Sequence, residues 1–232
     1  MSGNIRTAEQ SKAQNIAAMG SELGELYSVL WQQVTWLYSK WGEYVALFGT
    51  KPNRIEILNS TAPVFFKTIQ DGLWENILLH IARITDSQKS GKKDNLTFLR
   101  LPNLILNVGH KTSVEELLQI SIDTSKFARD WRNRRIAHSD LKLVLDQGAE
   151  PLAPASKTQV QGALAAVAAV LNNLSNTYLD STTMFDFASE PSAGGALSML
   201  KYLRAGKDAE LQRFARLKSG IYTPEDRKHH EI

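Results

Sequence analysis

The chain has 232 residues, 43% hydrophobic and 22% charged, which suits one sizeable domain or a domain with an appendage and excludes wholesale disorder. A net charge of +3 is mildly basic, so contact with a polyanion is permitted but rests on where the charges lie. With no cysteine, disulfides, thiolate nucleophiles and cysteine-ligated zinc are excluded.

In chain order, Met1–Met19 is polar and mixed, a flexible start over about residues 1–10 without the apolar core of a signal peptide. The first long element spans Ser21–Phe48, where Tyr27, Leu30, Val34, Leu37, Trp41, Tyr44 and Phe48 recur at helical steps. Gly49 and Pro52 stop it. Trp31 and Trp36 lie off that stripe, so a second packed flank, or a partner chain, is expected. The tryptophans at 31, 36 and 41 read as core and interface bulk rather than base-stacking platforms. A short helix is predicted over Asn53–Ser60, and Pro63 in a first helical turn opens the next. That helix carries Phe66, Ile69, Leu73, Ile77, His80 and Ile84 on one face and stops near Asp86, where a polar loop with Gly91 begins. Even Ile77–Ile84 is interrupted by His80 and Arg83, so no segment reads as a bilayer span, and a cytoplasmic protein without membrane contact is expected.

A short helical piece near Leu96–Leu101 ends at Pro102. Ser113 and Glu116 have the spacing of a capping box, followed by Leu117, Ile120, Thr124, Phe127 and Trp131 at helical intervals. A loop with Gly148, Pro151 and Pro154 leads to a helix striped by Val160, Leu164, Val167, Leu171, Leu174 and Tyr178, with alanines between 163 and 169 that admit a close neighbour. Ser189–Gly195 reads as a flexible joint before helices near Ala196–Arg204 and Ala209–Lys218. No two-residue strand period stands out. The expectation is an all-α antiparallel bundle over residues 1–187 with a helical C-terminal extension and tail over 188–232.

Phosphate-binding glycine loops, paired-histidine zinc helices, calcium loops and nucleophile elbows are all missing, and no metal site or cofactor is expected. What remains is a basic run. Lys126, Arg129, Arg132, Arg134 and Arg135 lie within ten residues with Asp130 as the only acid, and Asn133, His138, Ser139 and Asp140 stand beside them. Guanidinium groups bind phosphate oxygens through paired hydrogen bonds, histidine exchanges protons near neutral pH, and asparagine orients a phosphate or a ribose hydroxyl. The set suits metal-free RNA cleavage, in which a ribose 2′-hydroxyl attacks its own phosphate. In an unbroken helix Arg134, Arg135 and His138 share a face, but Arg132 and His138 point about 120° apart. Either the helix loosens near Ala137, or the Arg132 side chain wraps round, or a second subunit completes the site. The competing reading is a basic last turn that meets the negative end of a helix dipole.

The order arginine, asparagine, then histidine, with five residues between Arg132 and His138, resembles the motif of the HEPN superfamily. The phrase Trp131–Asp140 (WRNRRIAHSD), together with Leu73–Asp86 (LWENILLHIARITD), is similar to the abortive-infection U-type branch, over roughly residues 20–185. The resemblance implies an all-α bundle, a homodimer that brings two motifs to one cleft, and metal-independent ribonuclease activity in many members. It also implies a role in phage defence or toxin–antitoxin systems, with an antitoxin or other regulatory partner. Carried over by position, Arg132 stabilises the scissile phosphate, Asn133 assists and His138 transfers protons, with RNA as the partner. Other members have lost catalysis and serve as RNA-binding or assembly modules. Asp140 stands where several nuclease families carry a tyrosine, and a carboxylate near His138 would favour its protonated form.

Supporting or RNA-binding positions are Arg129, Arg134, Arg135, Asp140, Asn76, His80 and Arg83. His80 reads either as a buried, hydrogen-bonded histidine or, with Glu75, Asn76 and Arg83, as a second wall of the cleft. Arg83 reads alternatively as an ion-pair partner of Asp86 or Asp140. Lys201, Arg204, Lys207, Arg213, Arg216 and Lys218 suit a solvated face, given Asp208 and Glu210, better than an RNA-guiding one. His229 and His230 read as exposed tail rather than metal ligands.

Overall fold

The structure, a computed structural model, describes residues 6–49, 51–186 and 194–227. The class is all-α. The helices are α1 Ala8–Met19, α2 Ser21–Phe48, α3 Pro52–Thr61, α4 Pro63–Ile84, α5 Val108–Thr124, α6 Lys126–Trp131, α7 Leu141–Val144, α8 Lys157–Leu179 and α9 Ala196–Lys218. The expected joint at Ser189–Gly195 lies mostly, and His229 and His230 wholly, outside the described residues. The described residues form two compact units, one from residues 1–42 and 71–190, the other from 43–70 and 191–232.

In the first unit the α2 stripe is buried from Tyr27 through Leu30, Val34 and Leu37 to Trp41, as its period requires. It shares a core with Ile77, Leu78, Ile81 and Ile84 of α4, Val114 and Leu118 of α5, and Leu164, Val167, Leu171 and Leu174 of α8. Trp31 is half-buried, donating to Thr183 Oγ1 at 3.1 Å and touching Phe185, whereas Trp36 stands 60% exposed. The N-terminal stretch holds a helix that its polarity concealed. Thr7 and Gln10 form a reciprocal capping box at the start of α1. The helix lies against α2 because Gly24 has no side chain: a Cβ there would stand 2.6 Å from the Asn15 carbonyl oxygen.

Several sequence-based expectations are corrected. The helix assigned to Ser113 begins at Val108, because Asn107 accepts from the His110 N–H at 2.9 Å and caps it. Its buried face is Val114, Leu118, Ser121 and Ser125 rather than Leu117, Ile120 and Thr124, and Ile120 is 53% exposed. The two serines, which carry no signal in a hydropathy pattern, are fully buried there. The helix also breaks at Ser125 before resuming as α6. Pro102, expected to end a helical piece, sits within a 3-10 turn over Phe98–Leu104. The polar loop after α4 holds a two-residue hairpin pairing Lys89–Ser90 with Lys93–Asp94 around Gly91 (φ +60°).

In the second unit, Ala46, Leu47, Leu58, Phe66, Ala196 and Leu200 form a small core. The two short C-terminal helices are one, α9, running through Gly206. A single interior glycine costs a helix only about 1 kcal/mol, and here the first turn is fixed by packing and by Glu43, whose carboxylate accepts from the Ala196 N–H at 2.5 Å.

Candidate active site

The basic run lies at the end of α6, inside the first unit. Its root is aromatic. Trp131 meets Trp74 edge-on at 6.5 Å, Trp74 in turn meets Trp41 at 6.4 Å, and the Trp131 indole N–H donates to the Ala153 carbonyl at 2.8 Å. Asp130 accepts from the Ala153 N–H at 2.7 Å, so the 150–153 loop is strapped to α6 from both sides.

Immediately after Trp131 the helix loosens. Arg132–Ile136 is a π turn, closed by the Ala137 N–H donating to the Arg132 carbonyl at 2.8 Å, and the helix ends with Ala137 as its C-terminal cap. Such single wide turns inside helices cost regular packing and concentrate at functional sites. The widened turn cancels the α-helical register on which Arg134, Arg135 and His138 would have shared a face.

Each side chain of the run goes its own way. Arg132, 21% exposed, bonds through Nη1 to the Asp86 carboxylate at the end of α4 and donates from Nε to Asn133 Oδ1 at 2.9 Å. Its Nη2 makes no hydrogen bond to a described residue. Asn133 is exposed. Arg134 is a structural clamp: it pairs with Asp130 at 3.4 Å and Asp140 at 3.6 Å and donates to the carbonyls of Glu150 and Pro151. Arg135 lies over the Trp131 ring at 5.6 Å and reaches Glu75 at 4.0 Å. Arg129 donates to the Thr85 carbonyl and hydroxyl, at 3.1 and 3.0 Å, and to the Ile122 carbonyl, tying the end of α4 to α5; burial holds its guanidinium below the usual range.

His138 is exposed and makes no hydrogen bond to a described residue. Asp140 does not face it; its carboxylate caps α7, accepting from the Lys142 and Leu143 N–H groups at 3.0 and 3.2 Å, and pairs with Arg134. Within one chain, therefore, His138 lies two residues beyond the π turn that Arg132 opens, and no hydrogen bond joins the two. Three apolar side chains, Leu141, Val144 and Leu145, follow directly and are exposed.

Of the second group of expected residues, His80 and Arg83 line a cleft of about 450 Å³ with Gln33, Ile84, Asp86, Ser90, Asn95 and Leu96, whereas Glu75 and Asn76 lie outside its lining. His80 is 2% exposed. Lys40 of α2 lies 3.5 Å from its Nδ1 and donates to Asn76 Oδ1 at 2.8 Å. Burial, then Lys40 and Arg83, press the His80 ring down to about 4, so it is neutral at pH 7. Arg83 pairs with neither Asp86 nor Asp140; it is exposed and carries no ion pair to a described residue. Sequence reasoning missed Asp86 as the partner of Arg132 and Lys40 as the neighbour of His80, because both contacts join residues some 40 positions apart. Among the described residues no three His, Asp or Glu side chains cluster closely enough to hold a metal ion, and no helix is long and apolar enough to cross a membrane.

A family model described as AbiU2, of HEPN type, matches residues 20–199. No curated protein and no solved structure matches the chain.

Proposed function

The chain belongs to the AbiU2 family of HEPN proteins, and from that premise we propose that it is a metal-independent endoribonuclease acting in abortive infection. The observation that carries this reading is the setting of Arg132. It is held from two sides by Asp86 and Asn133 at the start of a π turn, its Nη2 is left over for a ligand, and a solvent-facing histidine stands two residues beyond the turn.

The chemistry follows from these groups. A ribose 2′-oxygen attacks the adjacent phosphorus, forming a 2′,3′-cyclic phosphate and expelling the 5′-oxygen of the next nucleotide. His138 is the group that accepts the 2′-hydroxyl proton, and a proton must reach the leaving 5′-oxygen, from the same imidazole or from that of a second copy. Arg132 Nη2 offers paired donors to the phosphate oxygens as negative charge builds on them. Asn133 holds the guanidinium through Oδ1 and leaves its amide N–H groups for the substrate. Because no hydrogen bond joins Arg132 and His138 within one chain, the reading includes a homodimer whose two motifs form one cleft. The exposed Leu141, Val144 and Leu145 give such a partner an apolar surface beside the motif. A restraining antitoxin belongs to the same reading.

The test is incubation of a mixed RNA panel with the protein in EDTA, beside Arg132→Ala and His138→Ala. Fragments ending in 2′,3′-cyclic phosphate are expected from the wild type, with each variant slowed by about 10²–10³-fold. Equal cleavage by all three would sink the assignment.

A second reading is a non-catalytic RNA-binding module. It rests on the cations Arg129, Arg132, Arg134 and Arg135 gathered at the end of α6 and on Trp36, exposed on the second flank of α2. It requires salt-sensitive binding without products and indifference to the loss of His138.

A further inference from the structure

The first unit carries a second cavity, of about 800 Å³, which shares no lining residue with the cleft beside Asp86. It lies where α1 and α2 part. The two helices touch at Gly24, against the Asn15 carbonyl, and beyond that contact they leave a gap flanked by Leu179, Ser181 and Thr183 of the chain leaving α8. Ala8, Ser11, Lys12 and Asn15 stand at helical steps, so α1 turns one face to the gap, and α2 answers with Tyr27, Ser28 and Trp31. That face of α1 is small and polar, where a helix packed only for stability brings apolar bulk. The gap follows from those small side chains.

Hydrogen bonds hold the walls in place. Asn15 donates from Nδ2 to Ser28 Oγ at 2.9 Å, and Ser28 donates to the Gly24 carbonyl at 2.6 Å. Trp31 donates to Thr183 Oγ1 at 3.1 Å, and the Thr183 N–H donates to Asn172 Oδ1 at 2.9 Å. The indole is thus a fixed, half-buried wall beside the buried Tyr27, and flat apolar surface of this kind favours a flat ligand over water. The charge of the lining is one-sided: Arg6 and Lys12 are cations, and no acid lines the cavity. Arg6 uses Nη1 to reach Gln14 Oε1 at 2.7 Å and carries no ion pair to a described residue. Lys12 reaches Glu25 at 3.2 Å, but both side chains are about half exposed, so that pair is weak and open to exchange.

We propose that this cavity binds a small aromatic anion, with its ring against Trp31 and Tyr27 and its acidic group at Arg6 and Lys12. The volume is in the range of small-molecule pockets, and aromatic walls with a few placed polar groups are their usual composition. A neutral aromatic compound leaves the two cations unanswered, and an inorganic anion leaves the indole wet. A molecule that joins a flat ring to a carboxylate or a phosphate monoester meets both demands. Ser11, Gln32 and Ser181, whose side chains carry no hydrogen bond to a described residue, offer further polar groups around it. The site goes beyond the ribonuclease reading and does not rest on it.

The full chain, in phosphate-free buffer, is titrated with indole-3-acetate, naphthalene-2-carboxylate and adenosine 5′-monophosphate, each beside its uncharged counterpart: indole-3-acetamide, naphthalene-2-carboxamide and adenosine. The Trp31 Nε1–H resonance, assigned by its loss in Trp31→Phe, reports the site, and calorimetry gives the affinity. We expect a saturable Trp31 shift with at least one anion, and binding of its uncharged counterpart weaker by about tenfold. The double variant Arg6→Gln, Lys12→Gln, at positions outside the core, should erase that difference. Amide exchange slowed over residues 8–19 by the bound anion gives a second readout, which stands even if Trp31→Phe does not fold. Saturation by the carboxylates alone identifies an aromatic acid, and saturation by the monophosphate alone a nucleotide; either supports the proposal. No saturable response to any of the three anions, equal affinity for charged and uncharged partners, or indifference to the double variant overturns it. RNA cleavage is scored separately with Arg132→Ala, so the ribonuclease reading and this site fail independently.

Discussion

Asp86 fixes where Arg132 points. The two side chains are about a fifth and a quarter exposed, so their pair is screened less than a surface one and less costly to desolvate than a buried one. Asp86→Asn keeps the shape and removes the charge. A stability loss of about 1–2 kcal/mol is expected in denaturant titration, together with a fall of about 10²-fold in RNA cleavage if the guanidinium must be held within an ångström of its working position. Unchanged cleavage at the lower stability would show that the pair only ties α4 to the π turn. His80 yields a second prediction at this scale. Its folded value of about 4 lies below the unfolded value of about 6.5. The unfolded chain thus takes up the proton first as pH falls. The contribution is full above pH 6.5, declines between 6.5 and 4, and levels off below, by up to about 3 kcal/mol. Unfolding free energy measured from pH 7.5 to 4.5 should show this slope, and His80→Phe should flatten it. An equal slope in both proteins would assign the proton to another group.

At the scale of elements, the close approach of α1 to α2 depends on one missing side chain. An alanine Cβ at position 24 would stand 2.6 Å from both the Asn15 carbonyl oxygen and the Ile16 Cα, which are backbone atoms with nowhere to go. Gly24→Ala should therefore push α1 away, breaking the Asn15–Ser28 hydrogen bond of 2.9 Å and destabilising the protein by about 1–3 kcal/mol. Faster amide exchange confined to residues 8–19 is the specific readout, and protection equal to wild type would contradict it. The helices whose apolar period is strong, α2, α4 and α8, are legible from sequence to within a residue or two. α1 is not, because its hold on the core comes through a glycine and polar contacts that carry no hydropathy signal. The same blindness shifted the face of α5, where Ser121 and Ser125 are buried and Ile120 is not. Loosening of the helix near Ala137 is one of three arrangements that the spacing of Arg132 and His138 leaves open, and the sequence cannot choose among them because Arg132 and Arg134 find acids on different stretches of chain, Asp86 in one case and Asp130 and Asp140 in the other.

At the scale of the whole molecule, a candidate set of site residues is legible in the sequence, because the spacing of Arg132, Asn133 and His138 survives in a linear string. Their arrangement is not, because contacts such as Arg132 with Asp86 and Lys40 with His80 join distant positions. The arrangement also sets the last prediction. A single chain places Arg132 against Asp86 and leaves His138 in solvent without a hydrogen bond to it, so on the ribonuclease reading a second copy supplies the missing half. In a two-fold dimer each composite site takes Arg132 from one protomer and His138 from the other. Arg132→Ala and His138→Ala homodimers then each have two dead sites. A heterodimer of the two has one site that lacks both groups and one that is whole. After the inert proteins are mixed, unfolded and refolded together, half of the dimers are mixed, and cleavage should return to about a quarter of the wild-type rate per protomer. If each chain uses its own pair, no mixture regains activity, and the free Nη2 of Arg132 must be reached by its own His138 through a movement of the turn at Ala137.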